Sequence, residues 1–260
     1  MWSLENILII TVTFLIAGSV KGLIGLGLPS VSLALLTATL GLKDAMTIML
    51  IPTFCTNILQ GLVGGHFRFV VRKFASLMIT AAIGTWFAVG IMARSETILL
   101  SGLLGISICA YSGFSLFNPQ IRPPGDNEKW LSPIIGIFTG FLTGLTGSFI
   151  MPSVVYLQAV DMHRDVLIQA MGVIFTAATI ALALSLGAQN LLPVETVIIS
   201  TGALIPAFIG MGFGRLIRIK ISATQFRRVF FSGLFFLGFF MISRVVKNKE
   251  FQEIFINWSI

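Results

Sequence analysis

Two short segments hold the residues best placed to do chemistry in this chain: KGLIGLGLPSVS at 21–32 and GLTGSFIMPSV at 144–154. Each joins closely spaced glycines to a Pro-Ser pair inside a run that is otherwise apolar. Glycine permits positive φ and close backbone approach, and proline removes a backbone donor. In hydrocarbon every freed N–H or C=O costs several kcal/mol unless protein satisfies it, so such breaks survive only when buried or lining a wet cavity. A helix starting at Leu28-Pro29-Ser30 turns unpaired N–H groups and a partial positive charge toward the break, with proline suited to the first helical position. Met151-Pro152-Ser153 repeats the pattern. Two helix N-termini converging from opposite sides would bind an anion without a full buried charge. The candidate binding residues are therefore Lys21, Gly25, Gly27, Pro29 and Ser30 in the first segment, and Gly147, Ser148, Pro152 and Ser153 in the second.

Further polar residues fall inside apolar runs. Asn57 and Gln60 stand three apart on one helix and share a face with Thr53; Gln169 is placed similarly in the second half. They either line a cavity or bond between helices. Lys21 either attracts an anion or anchors a hairpin tip at the cytoplasmic interface by snorkelling. Asp161, His163, Arg164 and Asp165 read as a loop and capping cluster, and Gly102, Gly105, Gly136 and Gly140 as packing glycines. A dinucleotide fingerprint at Gly22, Gly25 and Gly27 fails on context: the order is G-x-x-G-x-G, Pro29 follows, and the flanks have membrane length. Cys55 and Cys109 lack a second ligand at zinc spacing, so neither metal nor cofactor is expected.

The elements that must position these residues follow from composition. The chain of 260 residues is 56% hydrophobic and 10% charged, against the roughly 25% charge of soluble domains. Apolar runs at 45–67, 74–93, 96–117, 131–160, 166–188, 194–214 and 229–243 approach the roughly 20 residues that cross a bilayer as a helix. They are continuous rather than alternating, which excludes a barrel. The sequence predicts an all-α polytopic membrane protein. Its first run lacks the basic start and small-residue cleavage site of a signal peptide. The net charge of +7 lies in short loops, where membrane orientation explains it without a nucleic-acid partner.

The two opening segments also mark a repeat. Gly22 matches Gly144 and Gly25 matches Gly147; after one insertion Pro29-Ser30-Val31 matches Pro152-Ser153-Val154, and Phe54 faces Phe175. The expected organisation is a first repeat at 1–117, a polar linker at 118–129, a second repeat at 130–246 and a tail at 247–260. Each repeat holds a Gly/Pro-broken or re-entrant hairpin (4–20 with 23–42, and 131–146 with 148–160) and three spanning helices. With hairpins, Lys21, Arg68, Arg72, Lys73, Arg122, Lys129, Arg164, Arg215, Arg218, Lys220, Arg227 and Arg228 share one side; Lys43, Arg94, Arg244, Lys247 and Lys249 take the other. Twelve against five is the bias of a cytoplasmic face, whereas unbroken spans would divide the loop charges evenly and leave Lys21 in the membrane. Five elements per half make the repeats inverted and put both termini outside. Inverted repeats with interrupted helices at matching positions point to a transporter's substrate site.

KGLIGLGLPSVSLALLTATLGLKDAM and GFLTGLTGSFIMPSVVYLQAVDMHRDVLIQAMGVIF resemble the TauE/SafE family of sulfite exporter-like permeases, and the likeness extends over nearly the whole chain. Gly147-Ser148-Phe149-Ile150 departs from the glycine-richer turn frequent in that family. The resemblance implies a permease for sulfite, sulfonates or other small organosulfur anions, in the cell membrane (the inner membrane in a bacterium or archaeon). A passive anion channel and a membrane-embedded enzyme are the competing classes. The enzyme lacks support, since no H-E-x-x-H pair or intramembrane Ser/His/Asp set occurs. The expected partners are a small anion and the bilayer; the sequence leaves oligomeric state open.

Overall fold

A computed structural model describes residues 2–117, 121–218 and 222–248. All regular structure among them is helical, in the order α1 (Leu4–Ile24), α2 (Leu28–Leu40), α3 (Leu42–Ile48), α4 (Leu50–Leu62), α5 (Phe67–Lys73), α6 (Ala75–Arg94), α7 (Thr97–Phe117), α8 (Glu128–Thr146), α9 (Ser153–Ala159), α10 (Arg164–Ala188), α11 (Val194–Gly202), α12 (Leu204–Ile217) and α13 (Ala223–Val246), with one 3₁₀ turn at Gly125–Asn127. The helices α1, α6, α7, α10 and α13, and the stretch Val194–Ile217, are long and apolar enough to cross a membrane. α3 and α4 together pass the same test but bend by 42° at Met49. At 1.5 Å per residue, α2 and α9 reach only about 20 and 10 Å. Of the expected linker and tail, 118–120 and 249–260 lie outside the described residues; α8 already begins at Glu128.

The breaks fall where glycine pairs were noted, but the first hairpin's boundary differs. The sequence puts the tip at Lys21; the structure carries α1 on to Ile24 and caps it with Gly25. Gly22, read as part of the break, is a packing position instead. A Cβ there would lie 2.2 Å from the Met211 carbonyl oxygen of α12. Its counterpart Gly144 faces the Thr85 oxygen of α6 at 2.6 Å. Each G-x-x-G is thus a packing glycine followed by a helix-capping glycine.

The largest interhelical contacts are α6 on α8, α1 on α12, α7 on α13 and α4 on α10. In chain order α8 corresponds to α1, α12 to α6, α13 to α7 and α10 to α4. α1 and α8 therefore each pack on the penultimate spanning helix of the other part of the chain, and the remaining two contacts join helices in matching positions. Lipid tails are as apolar as leucine, so these contacts rest on close packing rather than on expulsion from water. Backbones meet nearly bare: a Cβ on Gly18 would lie 2.2 Å from the Ala207 oxygen, and one on Gly140 2.0 Å from the Ala81 oxygen. Gly136 and Gly105 behave as the sequence predicts, with a neighbouring carbonyl oxygen at 2.4 and 2.9 Å from an added Cβ.

These distances separate glycines by consequence. Gly140→Val should cost the bundle at least the 1–3 kcal/mol or so of an overpacked site, because backbone cannot step aside. Gly113→Ala, with open space around its added methyl, should be neutral. Thermal unfolding of detergent-purified variants checks this; equal midpoints for both would contradict the packing.

Candidate functional site

The two breaks share their local geometry. Gly25 takes φ 82° and its N–H reaches the Lys21 carbonyl at 2.8 Å; Gly147 takes φ 75° and reaches Thr143 at 2.7 Å. A positive φ strains any residue with a Cβ, which is why glycine holds both caps. Gly27, at φ 101°, precedes α2, and Pro29 lies in that helix's first turn. The second break ends differently from expectation. Pro152 stands just ahead of α9, which is only seven residues long. A helix of two turns has little dipole to offer, so the arrangement of two equal, converging N-termini is not formed.

What the first half gathers is a polar cluster around Lys21. Its side chain sits in the last turn of α1 and is 4% exposed, rather than extended to the interface. The ammonium nitrogen donates to Thr56 Oγ1 at 3.2 Å and to Asn57 Oδ1, both on α4. Thr56 can accept because its own hydroxyl donates to the Pro52 carbonyl at 2.8 Å. The lysine also fixes the Asn57 amide: Nζ only donates, so Oδ1 faces it and Nδ2 is left outward. Asn57 Nδ2 is buried without a partner, as is Thr53 Oγ1 one turn earlier on the same face, and so is Ser30 Oγ in α2. Among the described residues the carboxylates found in ion pairs are Glu128 and Asp165, and neither meets Lys21. A buried amino group with neutral partners, beside unpaired N–H and O–H donors, is chemistry suited to an oxygen-bearing anion.

The second half lacks this cluster. By the repeat's register Lys21 corresponds to Thr143, Thr56 to Ala177 and Asn57 to Ala178. Thr143 bonds within its own helix, to Thr139 at 2.7 Å. Ser153 Oγ donates to the Phe149 carbonyl at 2.7 Å, and Ser148 N–H to Thr146 Oγ1 at 3.3 Å. Phe149 is 1% exposed and its ring centre lies 5.0 Å from that of Phe175. An aromatic therefore fills the space where the sequence departs from a glycine-rich turn.

Gln169 and Gln60 brace the crossing of α4 and α10. Gln169 Nε2 donates to the Gly61 carbonyl at 2.9 Å and its Oε1 accepts from His66 N–H at 2.8 Å; Gln60 donates to Ile168 at 2.9 Å. Hydrogen bonding thus unites Lys21 with Asn57, and ties Gln169 and Ser153 to other partners. Thr56 was missed by sequence reading. Its signal is the Thr53, Thr56, Asn57 spacing, which puts all three on one helical face.

Because the cluster shares its bonds, its members should not contribute independently. Asn57→Leu strips an acceptor from a buried amino group and should cost about 1–3 kcal/mol. Lys21→Met removes the charge but leaves Asn57 Oδ1 without its donor, and should cost less than Asn57→Leu. The double variant should recover most of the Asn57→Leu loss, a coupling above about 1 kcal/mol in a thermal-unfolding cycle. Additive effects would contradict the bonding described.

A model of the sulfite exporter TauE/SafE family matches residues 10–241, which takes in both breaks, the Lys21 cluster and all but the last turn of the final helix. No curated protein and no solved structure matches the chain. With that span covered, the chain belongs to the TauE/SafE sulfite exporter family of membrane transporters.

Proposed function

We propose that this protein carries small sulfur oxyanions, sulfite or a short sulfonate, across the cell membrane by alternating access, with the anion bound at Lys21, Asn57 and Thr53. The observation that carries this reading is the buried Lys21 amino group, held by neutral oxygens and flanked by the unpartnered Asn57 amide nitrogen. An oxyanion entering there supplies the missing negative charge and accepts from several donors at once. The family supplies the sulfur chemistry. Ser30, whose hydroxyl is buried without a partner, is a further donor for the anion; Gly25 and Gly147 act through the backbone conformation that they permit, and Pro29 and Pro152 by starting the helices that follow the breaks.

A carrier fits better than an open channel because Lys21, Thr56 and Asn57 are 4%, 1% and 1% exposed. In this reading the halves are inverted and rock against each other across the glycine-lined contacts of α1 with α12 and α6 with α8, exchanging inward and outward openings. Both termini lie outside. Taking the buried Lys21 out of the loop tally leaves 12 − 1 = 11 basic residues against five, so the bias that favours this orientation persists.

Proteoliposomes loaded with unlabelled sulfite should take up labelled sulfite by exchange, and Lys21→Met should slow uptake by about ten- to hundredfold, the value of a charge-assisted hydrogen bond. Wild-type rates in that variant would remove Lys21 from the site; flux without exchange would make the protein a channel. In cells, a cysteine at Gln189 should label from outside and one at Arg122 should not, and the reverse would invert the orientation.

A further inference from the structure

The end of the bundle that carries α5 and the start of α8 has surface chemistry that the proposed transport leaves unused. α5 bears Arg68, Arg72 and Lys73, and its Phe67 and Phe69 are 45% and 50% exposed. Trp130, beside Lys129 in the first turn of α8, is 78% exposed. Between the two elements opens a cavity of about 620 Å³ lined by Lys73, Ser76, Asp126, Glu128, Lys129 and Ser132. Lys73 also borders a second hollow of about 490 Å³ with Arg68, Phe69 and Arg72, so the two hollows lie on either side of one lysine. Lys73 pairs with Glu128 at 3.0 Å, which neutralises one acid of the cavity. Arg68, Arg72 and Lys129 are exposed and in no ion pair among the described residues. Ser132 also lines the cavity, with its hydroxyl buried beside that of Tyr156.

We propose that this hollow seats the head group of an anionic phospholipid. Cationic groups interleaved with exposed aromatics belong at head-group level, where rings lie in the interfacial layer and Arg or Lys meets phosphate. A free anion would gain nothing from Phe67, Phe69 and Trp130. The remaining acid, Asp126, fits a head group that carries hydroxyls as well as a phosphate, as phosphatidylglycerol does: the hydroxyls donate to the carboxylate while Lys129 and Ser76 hold the phosphate, with Arg72 in the adjoining hollow adding positive charge. The cavity spans α6 and α8, which belong to opposite halves, so bound lipid would fasten that contact at its end.

Native mass spectrometry of the purified full-length protein, offered equal phosphatidylglycerol and phosphatidylcholine, tests this. Phosphatidylglycerol adducts should predominate, weaken with rising salt, and persist in millimolar inorganic phosphate. Arg72→Gln and Lys129→Gln should each lower their occupancy by about fivefold while leaving thermal unfolding in lipid-free detergent unchanged. Equal retention of the two lipids, salt-independent retention, undiminished adducts in both variants, or displacement by inorganic phosphate would each overturn the proposal. The wild-type comparison decides it even if a variant does not fold.

Discussion

The amino group of Lys21 is kept from water inside a bundle whose surroundings are hydrocarbon, and its protein partners are one hydroxyl and one amide oxygen. Much of the first half is arranged to make that tolerable. α1 must run unbroken to Ile24 so that Lys21 faces α4. The bend at Met49 sets the direction in which α4 presents Thr53, Thr56 and Asn57. Ser200 of α11 holds that bend from the other half, accepting from Ile51 N–H at 3.2 Å and donating to the Ile48 carbonyl at 2.7 Å. A buried charge without a counter-ion is expensive, so an anion that enters gains more here than it would from the same groups in water.

The contacts between halves are of a different kind. At α1 with α12 and α6 with α8, glycine lets backbone meet backbone, and Thr85 Oγ1 of α6 also donates to the Gly140 carbonyl of α8 at 3.1 Å. Such surfaces give tight packing through close backbone approach. The α4 and α10 crossing is pinned instead by the amides of Gln60 and Gln169, beside the close approach of Gly61 and Gly172.

Apolar run length was enough to place the spanning helices, since in hydrocarbon the helix is the structure that satisfies an open chain's backbone. The repeated Gly-x-x-Gly was legible too, but its two glycines do different work, and spacing alone does not tell a packing glycine from a capping one. That ambiguity moved the first break to Lys21 and put its side chain at an interface. The extent of α9 was hidden for a related reason: Phe149, apolar like its neighbours, leaves the helix and fills the space against Phe175. Asn57 could be singled out as a polar residue in an apolar run. Thr56 is marked only by its place on the face of Thr53 and Asn57, because threonines bonded to their own helix are common in this chain and its second role depends on where α1 passes.

In the proposed function an oxyanion binds where Lys21 and Asn57 meet, and the matching positions of the second segment hold Thr143 and Ala178 instead. Selenite, the selenium analogue of sulfite, allows that position to be seen directly by anomalous scattering from crystals of the purified protein. An anomalous peak in contact with Lys21 Nζ and Asn57 Nδ2, absent from the Lys21→Met variant, is the expected result. A peak beside Ser153 and Ser148, or one at Lys21 that survives its replacement by methionine, would contradict it.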